Sequence, residues 1–115
     1  MTTPVTDLET YKNHNRVLLV FAPSLRDESY LEQKCLLGDA ENGLRERDMV
    51  VLELTDKMSQ SFRDHFNVSE DFVVILIGKD GGEKERFLEP VEPAYLFNLI
   101  DQMPMRRREV KEEGW

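Results

Sequence analysis

Cys35 is the first candidate for covalent chemistry, because it is the one cysteine in the 115-residue sequence. A thiol reacts as its thiolate, which a helix N-terminus or a nearby cation stabilises. Cys35 lies about six residues inside a helix predicted to open at Ser29, beyond the first turn in which the helix dipole acts. We therefore expect a structural, largely buried thiol. Thiol-dependent oxidoreductase or peroxidase activity at Cys35 is the alternative.

Arg106, Arg107 and Arg108 form a basic run in a chain whose formal net charge is −8. Guanidinium groups pair with carboxylates in a planar, two-pronged geometry. The run therefore has two interpretations, and both stay open. It stabilises the fold or a dimer through the protein's own carboxylates, or it binds a ligand or an acidic partner.

The segment 78–82, Gly-Lys-Asp-Gly-Gly, has the composition of a phosphate-binding loop but not its order. A P-loop leads into a helix, and its Lys is followed by Ser or Thr. Asp-Gly between two strand-like runs instead favours a hairpin turn, with Lys79 and Asp80 at the tip as candidate partner contacts. The spacing of His14 and His65 does not resemble a metal site, so we expect no metal and no cofactor.

Composition restricts the partners and the location. Acidic residues outnumber basic ones by 23 to 15, which argues against nucleic acid, because its binders present a basic face. The longest apolar runs, 17–22 and 72–77, are too short to span a membrane. The N-terminus lacks the features of a secretory signal, and a single cysteine agrees with a reducing compartment. We therefore expect a cytoplasmic protein.

A single domain over residues 1–109 is expected to position these side chains, with a charged tail at 110–115. The apolar runs 17–22, 49–54 and 72–77 are typical of buried strands, with Glu53 near the end of the second. The run 83–88 alternates charged and apolar residues, which is typical of an exposed edge strand. Strands separated by helices are expected to be parallel, whereas the Asp-Gly turn implies an antiparallel pair. These features predict an α/β fold with a central mixed four-stranded sheet and helices on both faces.

Capping and proline signals predict the helices between these strands. Capping boxes at Thr6–Glu9 and Ser29–Glu32 open a short first helix and a longer second one. Pro93 opens the last helix and Pro104 ends it. Gly38 and Gly43 weaken the second helix, so a kink or an early end is expected there. A further short helix is expected over 59–66.

The segments 20–24, Val-Phe-Ala-Pro-Ser, and 67–81 resemble the strand–helix and strand–turn frame of thioredoxins. The resemblance places Leu25 and Glu28 at the positions of the two redox cysteines. It places Phe72 at the position of the cis-proline that packs beside them. It therefore implies a thioredoxin-like fold whose redox site is vacated.

Three stretches also resemble an uncharacterised thioredoxin-like family: 16–23, 43–52, and the pair 77–82 with 100–109. This domain of unknown function occurs in secreted coiled-coil-domain-containing and sushi-repeat-containing matrix proteins and in small stand-alone bacterial proteins. The resemblance implies no established catalytic residues. We therefore predict a non-catalytic domain that acts through a protein partner or self-association. The groove between the loops after Ala22 and before Phe72, where thioredoxins grip extended peptides, is the predicted contact surface.

Overall fold

The computed structural model of the protein describes residues 8–55, 59–103 and 106–109. In chain order its elements are a 3-10 helix (Leu8–Thr10), β1 (Arg16–Phe21), α1 (Glu28–Gly38), α2 (Glu41–Glu46), β2 (Met49–Leu54), α3 (Ser59–Phe66), β3 (Val73–Ile77), β4 (Glu83–Phe87) and α4 (Pro93–Asp101). The predicted cap at Thr6, the predicted stop at Pro104 and the tail at 110–115 lie outside the described residues.

The four strands form one mixed sheet in the order β2-β1-β3-β4. β1 pairs in parallel with β2 and antiparallel with β3, and β3 pairs antiparallel with β4. The two central strands, β1 and β3, are buried at every position, as their continuous apolar sequences predict. β4 lies at an edge and is partly exposed. The predicted mixed four-stranded α/β sheet is therefore confirmed.

Alternate side chains of the central strands point to opposite faces of the sheet. Leu18 and Leu76 belong to an apolar cluster that includes residues of α1, α2 and α4. Leu19 and Ile75 belong to a second cluster, which Phe62 of α3 completes. Helices therefore cover both faces, as the sequence predicts.

The region between β1 and β2 differs from the prediction in its helix cap and agrees with it on the early end of the helix. α1 is capped by Asp27, whose Oδ2 accepts a hydrogen bond from the Tyr30 N–H at 3.0 Å, and not by Ser29. The chain turns at Ser24, whose carbonyl accepts from the Asp27 N–H at 3.3 Å, so a carboxylate already stands at the cap position. The helix then ends at Gly38 and a separate helix, α2, starts at Glu41, which is the early end that the glycines favour.

Candidate functional site

The predicted vacated redox site lies at the end of the sheet where β1 finishes and β3 starts. Phe21, the last residue of β1, pairs with Val73, the first residue of β3. This antiparallel register brings the loop after Ala22 next to the loop before Val73. The structure therefore brings the predicted site positions to one end of the sheet.

The two positions predicted to correspond to a dithiol carry side chains that face solvent. Leu25 is 62% exposed, and Glu28, the first residue of α1, is also exposed. Phe72 is buried in the same apolar cluster as Ala22 and Tyr30. Residues 8–55, 59–103 and 106–109 contain no cis peptide bond. The site thus exposes an apolar side chain and a carboxylate to solvent, whereas Phe72 belongs to the core.

Arg63 of α3 holds the loop that precedes β3. Its Nη1 donates to the Glu70 carbonyl at 2.7 Å, and its Nη2 donates to the Asp71 carbonyl at 2.9 Å. The guanidinium lies 5.5 Å from the centre of the Phe21 ring, within the range of a cation–π contact. A side chain on a helix therefore fixes the loop, and sequence reasoning missed it because nothing in 59–66 marks one arginine as special.

Tyr30 joins the start of α1 to the end of β2. Its hydroxyl donates to Glu53 Oε2 at 2.9 Å, and its ring is buried. Burial raises the pKa of Tyr30, and the adjacent Glu53 carboxylate raises that pKa further. Tyr30 therefore stays a neutral hydrogen-bond donor at neutral pH and serves to position α1.

Cys35 is exposed on α1, so the expected burial is wrong. The buried residues of α1 are Tyr30, Gln33 and Leu37. Cys35 is two positions from both Gln33 and Leu37, which is about 200° around a helix of 3.6 residues per turn. The helix phase therefore places the thiol on the solvent-facing side of α1.

The opposite end of the sheet carries a network of ion pairs. We name it the arginine cluster; its members are Arg16, Glu46, Arg47, Asp48, Lys79, Asp101, Arg106 and Glu109. These four cations and four carboxylates come from the start of β1, the end of α2 and the connection to β2, the hairpin, the end of α4 and the helical turn 106–109. Positive and negative charges therefore balance within it.

The buried Arg16 and the half-buried Glu109 form the centre of the arginine cluster. Arg16 is 1% exposed, and its two terminal nitrogens donate to the Glu109 carboxylate at 3.3 and 3.4 Å. Lys79 Nζ lies 2.6 Å from Glu109 Oε2 and 2.9 Å from Asp48 Oδ2. Although burial acts to raise it, the pKa of Glu109 is lowered by the hydrogen bonds from Lys79 and Arg16. Glu109 therefore stays ionised and holds the turn 106–109 on the sheet.

The predicted arginine run divides between the interior and the surface. Arg106 is 3% exposed and lies within 3.5 Å of carboxylate oxygens of Glu46, Asp101 and Glu109. Arg107 and Arg108 are exposed. The geometry thus favours an intramolecular role for Arg106 and leaves the other two arginines accessible.

Arg47 completes the arginine cluster on the side of α4. Its guanidinium makes a two-pronged pair with Asp101 at 3.0 and 2.9 Å and lies 4.2 Å from the centre of the Phe97 ring. The hydrogen-bonded pair with Arg47 lowers the pKa of Asp101. Burial acts to raise that pKa, and the hydrogen bond from Arg106 lowers it further. Sequence reasoning missed Arg16, Arg47 and Glu109, because their partners are far away in the chain.

The hairpin turn at 78–82 forms as predicted. Gly81 has a φ of 85°, the left-handed region that Gly adopts without strain. Asp80 is exposed, accepts from the Gly82 N–H at 2.9 Å and pairs with Lys84 at 2.7 Å. Lys79 instead turns inward to the arginine cluster, so the structure does not place it at the tip as a free contact.

Metal binding finds no geometric support in the described part of the chain. His14 and His65 are both exposed. The residues that the structure describes contain no group of three His, Cys, Asp or Glu side chains that could hold an ion. None of the described helices is long and apolar enough to cross a membrane.

Comparison with known proteins agrees with the family that the sequence resembles. A family model, the domain of unknown function DUF4174, matches residues 7–109. The sushi repeat-containing protein SRPX of Homo sapiens is 29% identical over 120 residues, covering 90% of this chain and 26% of its own length. The human sushi repeat-containing protein SRPX2 is 25% identical, covering 91% of this chain and 26% of its own. This chain therefore spans about a quarter of the length of these relatives.

Solved structures confirm the thioredoxin-like fold. The reduced 2-Cys peroxiredoxin of Plasmodium vivax superposes with a TM-score of 0.72 at 15% identity, covering 88% of this chain and 84% of its own. Mitochondrial thioredoxin 3 of Saccharomyces cerevisiae superposes with a TM-score of 0.66 at 14% identity, covering 90% and 92%. At such identities the likeness concerns the fold alone.

Proposed function

We propose that this chain, which belongs to the DUF4174 family of thioredoxin-like domains, acts by noncovalent binding and not by thiol–disulfide exchange. The observation that carries the proposal is the pair of exposed, non-thiol side chains, Leu25 and Glu28, at the two positions that the resemblance assigns to the dithiol. These positions lie at the N-terminus of α1, where a helix would stabilise a thiolate.

The single cysteine supports the same proposal. Thiol–disulfide exchange passes through a mixed disulfide, which a second thiol resolves. The sequence has one cysteine, Cys35, in the second half of α1, away from the helix terminus that would activate it. Exchange at Cys35 would therefore need a second molecule for every cycle.

The proposed contact surface is the loop end that carries Leu25. A leucine 62% exposed beside the fixed loop before β3 offers apolar area to a protein partner or to a second copy of the chain. The α1 cap and the Arg63 contacts hold the flanking backbone in place, which limits the entropy lost on binding.

We further propose a cytoplasmic setting, with neither nucleic acid nor membrane as partner.

The experiment compares two leucines of similar exposure. Wild type, Leu25→Asp and Leu88→Asp serve as baits in lysate of the native host; Leu88 is 56% exposed and lies after β4. We expect a partner that wild type and Leu88→Asp retain and Leu25→Asp loses. Equal retention by all three baits would place binding elsewhere and contradict the proposed surface.

A second candidate function rests on the exposure of Cys35. A peroxidase cysteine attacks the peroxide O–O bond as a thiolate, so that the cysteine becomes a sulfenic acid and the peroxide leaves as water or an alcohol. Two equivalents of an external thiol would then return Cys35 to the thiol and release water and a disulfide. The measurement that separates this candidate from noncovalent binding closes the Discussion.

A further inference from the structure

A cavity of about 540 Å³ opens beside the arginine cluster, at the end of the sheet opposite Leu25. The hairpin, the end of α4 and the turn 106–109 form its walls. Six of the lining side chains decide its chemistry: Arg16, Lys79, Lys84, Leu99, Met103 and Arg108. Its volume lies within the range of about 300–1,000 Å³ that is usual for small-molecule sites.

The cavity is positively charged in a protein whose net charge is −8. Among the residues that the structure describes, four cationic side chains and one carboxylate, Asp80, line it. Lys84 pairs with Asp80 at 2.7 Å, while Arg16 and Lys79 pair with Glu109. Arg108 is exposed and makes no ion pair within the described residues. One guanidinium at the cavity therefore remains available to an anion.

Arg16 provides a second, independent observation. Its side chain lines the cavity and is 1% exposed. Its Nε has no hydrogen-bond partner within the part of the chain that the structure describes. A buried N–H without a partner is costly, so the guanidinium of Arg16 keeps part of its hydrogen-bonding capacity unused beside the cavity.

The cavity also has an apolar wall. Leu99 and Met103 line it, are half-buried, and pack on the core through the end of α4. A small inorganic anion would leave this wall in contact with water. An anion that carries a hydrocarbon or aromatic body would cover it, which favours burial at roughly 25 cal/mol per Å² of apolar area.

We propose that this cavity binds a small amphiphilic anion, in which a carboxylate, sulfonate or phosphate group is attached to an apolar body. Arg108 pairs with the anionic group, and the apolar body lies on Leu99 and Met103. The selectivity follows from the lining: an amphiphilic cation is repelled, and an inorganic anion lacks the apolar contact.

The test uses the fluorescent aromatic sulfonate 8-anilinonaphthalene-1-sulfonate as the probe. Its binding is titrated with wild type, Arg108→Ala and Arg107→Ala. The two variants lose the same charge at adjacent exposed positions, but Arg107 does not line this cavity. Unfolding curves show that the three proteins are equally folded. We expect saturable binding to wild type and Arg107→Ala, because both keep the guanidinium that pairs with the sulfonate. Arg108→Ala should bind about tenfold more weakly.

Competition distinguishes the class of ligand. Decanoate, inorganic phosphate and decyltrimethylammonium are added to the complex of protein and probe. We expect displacement by decanoate at concentrations at which the other two have no effect. Equal affinity of Arg108→Ala and wild type, displacement by inorganic phosphate alone, or displacement by the cationic amphiphile would each overturn the proposal. Since Leu25 lies at the other end of the sheet, these results are independent of the proposed partner surface.

Discussion

The amide group of Gln33 makes two hydrogen bonds to the backbone of Val91, in the loop before α4. Its Nε2 donates to the Val91 carbonyl at 3.0 Å, and its Oε1 accepts from the Val91 N–H at 2.8 Å. Gln33 is fully buried on α1. One side chain thus satisfies a loop backbone that has no strand beside it, as buried polar groups require.

Replacing Gln33 with Ala is expected to lower the free energy of unfolding by about 2–4 kcal/mol, because it leaves the Val91 N–H and C=O unpaired and creates a cavity. Denaturant unfolding measures the change. Gln60→Ala is the control, since Gln60 is exposed on α3 and contacts only Asp64 among the described hydrogen bonds; a change within about 0.5 kcal/mol is expected there. Equal losses in the two variants would contradict the role given to Gln33.

Glu109 makes stability depend on pH. Its pKa is lowered in the folded protein from an ordinary value of 4.5. Its ionisation therefore stabilises the fold above that value, and this contribution is lost as the pH falls through the lower folded pKa. Glu109→Gln is expected to cost about 1–3 kcal/mol at neutral pH and to flatten the loss of stability below about pH 4.5.

The pH dependence of Glu109→Gln is measured as the free energy of unfolding at closely spaced pH values. The control is Glu32→Gln, which changes an exposed carboxylate on α1. The control is expected to keep the wild-type acid dependence. A Glu109→Gln curve parallel to that of wild type throughout the acid range would show that the arginine cluster does not couple folding to this carboxylate.

At the scale of elements, two glycines in neighbouring helices have opposite surroundings. A Cβ at Gly43 of α2 would lie 2.6 Å from the Phe97 ring, which also contacts Arg47. A Cβ at Gly38, the last residue of α1, would meet nothing within 4 Å. Close approach of α4 to α2 therefore requires glycine at 43 but not at 38.

Gly38→Ala is expected to raise the free energy of unfolding by about 0.5–1 kcal/mol, because alanine reduces the entropy of the unfolded chain. Gly43→Ala has the same effect on the unfolded chain, but its Cβ must displace the Phe97 ring from Arg47. We therefore expect Gly43→Ala to lower the free energy of unfolding. Thermal or denaturant unfolding of both variants gives the comparison. Equal stabilisation by the two alanines would mean that α2 and α4 do not pack as described.

The elements could be predicted closely from local patterns, because hydrophobic period and turn chemistry act over a few residues. The helix at 59–66 and the Asp-Gly turn have the predicted bounds, and the strands agree to within a residue. The exposure of Cys35 could not be predicted, because it depends on which residues of α1 face the sheet. Pairing of Arg106 with the protein's own carboxylates was one of the two predicted interpretations, but Arg16 and Glu109 were missed because they lie far apart in the chain.

At the scale of the whole molecule, the two ends of the sheet carry different chemistry. The end at which the sequence resemblance places the dithiol has Leu25 and Glu28 at the surface and Phe72 in the core. The other end has the arginine cluster and the cavity beside it. The resemblance to thioredoxins identifies the first end, whereas the polar groups that the structure gathers together lie at the second.

The most direct measurement is the turnover of peroxide and of a protein disulfide at pH 7, with a small thiol as reductant. Wild type, Cys35→Ser and the double variant Leu25→Cys/Glu28→Cys are compared. We expect wild type and Cys35→Ser to match the rate without protein, while the double variant gains disulfide exchange at the N-terminus of α1. Turnover by wild type that Cys35→Ser abolishes would contradict noncovalent binding as the function and establish a thiol enzyme.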